Sequence, residues 1–197
     1  MPTTRHDSRL TYEDFLLFPD DGLRHEIIDG EHYVTPSPNL SHQELVLRLG
    51  LALGNHLEDR PDRGRLFVAP FDVVFSFHDI VEPDLIFLAP DQLHILTAQN
   101  IKGAPAMVIE ILSPATRKRD QRIKLQLYER SGVREYWMVD PDAPGVTIHR
   151  RADDGSFPVS ASLSTDAGDT LRTPLLPEWS LDLARLFRPL KPASTPP

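Results

Sequence analysis

Residues 106–112 read Ala-Met-Val-Ile-Glu-Ile-Leu, and this run constrains the fold more than any other part of the chain. It is apolar at every position except Glu110. A strand that is apolar on both faces must be covered on both faces, as in a sheet sandwiched by helices. A helical pattern follows over about 116–131, with Gly132 in the C-cap position. A second buried strand, Tyr136-Trp137-Met138-Val139, comes next and stops at Asp140-Pro141. Strand, helix, strand in this order implies a parallel crossover and an α/β class.

The rest of the pattern is consistent with that class. Thr11 caps a short helix running to about Phe18, closed by Pro19. Asp29-Gly30 lies between His25–Ile28 and Glu31–Val34, a strong hairpin signal because such turns need positive φ. Leu45, Leu49, Ala52, Leu53 and Leu57 recur at helical spacing, so about 40–59 is an amphipathic helix. Strands are expected at 65–69, 71–77, 83–88 and 146–150, with a turn at His78-Asp79. Ser180 is read as the cap of a last helix, 181–187. Residues 1–9 and the proline-rich end, 188–197, are expected to be disordered around one domain spanning 10–187.

Composition narrows the chemistry. The 197 residues contain no cysteine, which excludes disulfides and thiolate metal sites and suggests a reducing, cytoplasmic location. His42-Gln43-Glu44 therefore cannot be half of a zinc-deaminase motif, which needs a Pro-Cys-x-x-Cys partner. No signal segment or membrane-spanning run is visible. The net charge of -8 argues against binding nucleic acid over the whole surface. A local basic segment stands out instead: Arg117, Lys118, Arg119 and Arg122 lead it, and Lys124, Arg130 and Arg134 extend it. It reads either as a nucleic-acid contact or as a solvated helix face.

Three residues are candidates for chemistry. Glu110 sits where an unpaired carboxylate costs several kcal/mol, so a cation, a metal or hydrogen bonds must compensate. Alternation puts it on one face with Val108 and Leu112. Asp84 opens the apolar run 85–88, and two carboxylates on adjacent strands can share a hard divalent cation. Asp120, Lys124 and Tyr128 form a helical stripe that puts Lys124 at the edge of the buried face. The plainer alternatives are a Glu110–arginine pair, a turn aspartate at 84 and a surface pair between Asp120 and Lys124.

These residues carry a resemblance. Pro83-Asp84, Glu110-Ile-Leu-Ser-Pro, Asp120 with Lys124, Glu135-Tyr-Trp and Val139-Asp140-Pro141 are similar to the Uma2 family of the PD-(D/E)XK restriction-endonuclease-like superfamily. Glu26-Ile-Ile-Asp-Gly-Glu31 and the stretch ending at His42 match as well, and the likeness spans about 10–187. It implies a mixed central sheet flanked by helices, with an N-terminal helix and hairpin. It implies Asp84 and Glu110 as ligands of magnesium or manganese, with Lys124 replacing the superfamily lysine at the position held here by Leu112. Glu26, His42 and Asp120 are secondary candidates. The implied activity is metal-dependent phosphodiester hydrolysis, on DNA rather than RNA, by a homodimer. The alternatives are a catalytically inactive binding module of the same fold, or a hydrolase of another phosphorylated substrate.

Overall fold

The computed structural model describes residues 9–189, so the expected disordered ends lie outside the described residues except for Arg9, Arg188 and Pro189. The elements run in the order α1 (Tyr12–Phe15), β1 (Arg24–Ile28), β2 (Glu31–Thr35), α2 (Leu40–Leu57), β3 (Arg65–Val68), β4 (Val73–Ser76), β5 (Asp79–Val81), β6 (Leu85–Leu88), β7 (Ile101–Lys102) and β8 (Met107–Ile111). Then come α3 (Arg117–Arg119), a π-helical turn (Asp120–Lys124), α4 (Leu125–Ser131), β9 (Glu135–Asp140), β10 (Gly145–Arg150), β11 (Val159–Ser164), β12 (Thr170–Thr173), β13 (Leu176–Asp182) and α5 (Leu183–Leu186).

A six-stranded mixed sheet, ordered β11-β10-β9-β8-β6-β3, forms the centre. Its β8–β9 pair is parallel, as the strand–helix–strand pattern requires, and the other neighbours are antiparallel. A second sheet, β2-β1-β5-β4-β7, carries the N-terminal hairpin. Asp29 and Gly30 both take positive φ at its turn, 54° and 78°. A Cβ on Gly30 would fall 2.3 Å from the Cβ of Arg9, so only glycine fits there.

Alternation along β8 divides the core in two. Met107, Ile109 and Ile111 pack with Trp137, Val139 and the α2 leucines 45, 49, 53 and 57. Val108 and Leu112 pack with Leu127, Tyr128, Tyr136 and Met138 under α4. Leu49 is fully buried on the first side. Leu49→Ala is expected to cost about 2–5 kcal/mol in urea unfolding, through lost transfer free energy and the cavity left behind.

The structure departs from the sequence reading in three places. Asp79 is the first residue of β5 rather than a turn residue; it accepts hydrogen bonds from Asp29 N–H and the Ser76 hydroxyl. The last helix starts later than expected: Asp182, not Ser180, is the N-cap, accepting from Ala184 N–H at 2.7 Å. Leu181 belongs to β13, where it faces Leu171 across the hairpin. The burial of Leu176, Trp179 and Leu181 anchors that strand, and apolar side chains alone do not separate a short buried strand from a helix turn. The third departure is the π-helical turn, which no sequence period announces.

Candidate active site

The geometry begins with β6 and β8. Their antiparallel register pairs Leu85 with Ile109 and Ile86 with Val108. Continued by one step, it sets Asp84 opposite Glu110. Ile86 and Leu88 pack on the α4 side of the sheet, and Val108 and Leu112 do the same. By alternation Asp84 and Glu110 therefore share that face. Both line a cavity of about 220 Å³, with Lys124, Asp120, Arg119, Arg24 and His42 around it.

Each carboxylate is held differently. Asp84 Oδ1 accepts from Arg24 Nη1 at 2.7 Å. Its Oδ2 accepts from Ile111 N–H at 2.8 Å and lies 3.0 Å from His42 Nε2. Burial opposes ionisation of Asp84, but His42, Arg24 and the Ile111 N–H together hold its pKa below the usual range. Glu110 Oε1 accepts from Lys124 Nζ and from the Tyr128 hydroxyl, both at 2.8 Å. Here burial wins. The Glu110 pKa is pushed up to about 8, against the pull of Lys124 and with a further push from Asp84, Asp120 and Glu26. Neighbouring carboxyls driven in opposite directions mark sites that do chemistry.

Lys124 is deeper than the sequence pattern implies. It is 2% exposed, and its Nζ lies 2.7 Å from Glu26 Oε1 as well as 2.8 Å from Glu110. The surface Asp120–Lys124 pair does not occur, because both residues are buried. Burial alone would lower the Lys124 pKa, but the surrounding carboxylates Glu110, Glu26 and Asp120 raise it, so the ammonium stays charged. Leu112, at the usual lysine position, is buried in the apolar cluster instead.

Glu26 is not an exposed hairpin residue; it is 1% exposed. Its Oε1 also accepts from Glu82 N–H at 3.1 Å, and Arg119 Nη2 lies 3.4 Å from its Oε2. His42 sits in the first turn of α2, where its own N–H donates to the Asn39 cap, and its ring reaches Asp84. His42 thus both starts α2 and lines the site. Asp120 is 2% exposed, burial raises its pKa, and its Oδ1 has no hydrogen-bond partner among the described residues. Arg24 and Tyr128 were not singled out from sequence. Alternation in β1 puts Arg24 on the face of Glu26, and the 120–124–128 stripe includes Tyr128, so both signals were present.

The basic segment is largely neutralised by the fold's own acids. Arg117 pairs with Asp140 and Asp142, Arg130 with Asp29 and Asp79, and Arg134 with Asp91. Arg119 turns inward toward Glu26 and Thr35. Lys118 and Arg122 are exposed and have no ion pair among the described residues.

The family model described as "Putative restriction endonuclease", Uma2, matches residues 12–184. The chain belongs to the Uma2 family. A relative of this Uma2 chain is the uncharacterized protein slr1290 of Synechocystis sp., 25% identical over 168 residues, which are 83% of this chain and 84% of that protein. The crystal structure of "a putative nuclease belonging to DUF820" from Anabaena variabilis superposes with a TM-score of 0.73 at 21% identity, covering 90% of this chain and 97% of that one. The Uma2 chain thus has the restriction-endonuclease-like fold, a mixed sheet flanked by helices.

Whether a divalent cation suits these residues turns on the donor set. No group of three or more His, Asp or Glu side chains among the described residues is arranged to hold a metal ion by itself. Magnesium does not need such a cage; it commonly uses one or two carboxylates and keeps several waters. Asp84 and Glu110 beside a cavity of about 220 Å³ supply that combination. Among the buried carboxyls at 26, 84, 110 and 120, Asp84 is held ionised while burial favours the neutral form of Glu110, a balance that a bound cation would shift back toward the carboxylate. The residues fit a hard divalent cation.

Proposed function

We propose that this Uma2 chain is a divalent-metal-dependent endonuclease that hydrolyses phosphodiester bonds of DNA. The observation that carries the reading is the placement of Asp84 and Glu110 at opposed positions of neighbouring strands, on one cavity, with the Lys124 ammonium on Glu110. Asp84 and Glu110 would hold magnesium or manganese. When bound, such an ion supplies Lewis acidity at the phosphoryl oxygen and a lower pKa for water.

The protein's own groups account for the remaining work. Asp84 stays ionised because Arg24, His42 and the Ile111 N–H favour its charged form. Lys124 offers a fixed positive charge where negative charge grows on the phosphoryl group. Glu26, bonded to Lys124 from the neighbouring sheet, is a positioning residue for that ammonium. Tyr128 donates to the same Glu110 oxygen and limits its rotation.

The decisive test is relaxation of supercoiled plasmid in magnesium or manganese, with a chelator control. Nicking that requires the metal supports the proposal. DNA binding without cleavage in either metal would make the chain a binding module, and turnover of a small phosphoester with DNA untouched would move it to another hydrolase class.

Affinity for DNA should rest on few basic groups, since most of the segment is internally paired. Lys118→Ala with Arg122→Ala is expected to weaken binding similarly on all sequences. The slope of log K against log salt should flatten by about one per phosphate contact removed. Anisotropy titrations over a salt series measure this.

A further inference from the structure

Beside the candidate active site lies a second, larger cavity of about 580 Å³. Arg24 and the 35–38 loop line both, so the two spaces are adjacent. Phe18, Leu23, Pro36 and Pro70 give the larger one an apolar wall, with Leu23 43% exposed. Its acids, Asp20, Asp72 and Glu82, outnumber its one arginine, and His25, Thr35, Ser37 and Gln43 add further polar groups. Asp72 and Glu82 line it half-buried, and neither carboxylate has a hydrogen bond or ion pair among the described residues. Arg24, the arginine of this cavity, is already engaged by Asp84 and by the Glu82 carbonyl.

Charge decides what such a groove can hold. A phosphate beside Asp72 and Glu82 is repelled wherever they are ionised, which disfavours the nucleic-acid backbone there. A nucleobase is flat, uncharged and attached to the backbone next to the phosphodiester. The volume is in the range of small-ligand pockets. Burial raises both carboxyls, Glu82 to about 7, so above that pH the pair is ionised, only accepts hydrogen bonds, and suits a base that presents N–H donors along one edge. Guanine, with its amino group beside a ring N–H, offers the most, whereas thymine has no amino group.

We infer that the groove walled by Phe18, Leu23, Pro36 and Pro70 is a subsite for an unpaired nucleobase next to the cleaved phosphodiester, with Asp72 and Glu82 selecting guanine. The inference rests on the endonuclease reading and adds a substrate class to it: strands with an unpaired base at the site. Neither carboxylate belongs to the proposed metal or lysine machinery.

The test uses the full chain without metal and two labelled single strands, oligo-dT and the same oligo with one central dG. Anisotropy is expected to show about tenfold tighter binding of the dG strand, the discrimination typical of one good bidentate contact. The ratio should fall close to one in Asp72→Asn with Glu82→Gln. Leu23→Trp, at an exposed position that does not threaten folding, should narrow the mouth and reduce the same ratio. Equal affinity of the wild type for the two strands would overturn the inference, as would a ratio unchanged in both variants. Plasmid nicking by the same preparations separates the two readings. Nicking without guanine preference removes the subsite alone, and guanine preference without nicking keeps the base-binding groove but removes the endonuclease reading and with it the subsite's place beside a cleaved bond.

Discussion

Asp84→Ala and Glu110→Ala are each expected to lower metal-dependent plasmid nicking by about a thousandfold, because metal assistance supplies several kcal/mol of transition-state stabilisation. With only two carboxylates proposed to hold the ion, losing either removes half of the protein's anionic ligands. Calorimetric titration of magnesium or manganese should lose its binding heat in the same variants. The fold should survive. Glu110→Ala leaves Lys124 paired to Glu26, so no buried ammonium is stranded. Asp84→Asn gives a milder control: it keeps an acceptor for Ile111 N–H while removing the charge. Calorimetry that shows undiminished metal binding in Glu110→Ala would overturn the assignment.

Lys124→Met should act on stability as strongly as on activity. The methionine keeps most of the apolar stem but leaves Glu26 and Glu110 buried without their shared cation. Removing one partner of a buried ion pair costs about 3–5 kcal/mol. The loss must depend on pH, and its sign follows from proton binding. The folded-state pKa of Glu110 is already raised to about 8 from an ordinary 4.5. Between those values the folded chain binds more protons than the unfolded chain, so stability falls as pH rises. Deleting Lys124 removes the group that pulls this pKa down and widens the window upward. Destabilisation by Lys124→Met should therefore be larger at about pH 9.5 than at about pH 6, because Glu110 is protonated in both folded proteins at the lower pH and ionises only beside the ammonium at the higher. Urea unfolding of both proteins at the two pH values measures it. Equal losses at both would mean that the ion pair does not govern stability here.

A structural consequence of the same arrangement concerns the two sheets. Lys124 from the π-helical turn bridges Glu110 of the central sheet and Glu26 of the hairpin sheet. Arg119 and Arg24 reinforce that seam from either side. The hairpin is therefore part of the site as well as of the fold, which explains a buried glutamate in a strand that also buries Ile27 and Ile28.

Much of this was legible in the amino-acid sequence. A short run such as Met107–Ile111, rich in β-branched residues and followed by a helical pattern, reads as a doubly covered strand because either apolar face is costly to expose. The same reasoning isolated Glu110, since a carboxylate in that setting needs a partner. The Asp29-Gly30 turn and the Gly132 cap followed from backbone sterics, which are local. The tertiary structure decided what local rules cannot reach. Whether Asp84 met Glu110 depended on the register of β6 against β8, a pairing between segments over twenty residues apart. Whether Lys124 turned inward depended on a π-helical turn and on Glu26 arriving from another sheet. The fate of the basic segment depended on where Asp29, Asp79, Asp91, Asp140 and Asp142 came to lie. Charge pairing acts through space, so composition could count those arginines but not say which of them the fold would neutralise.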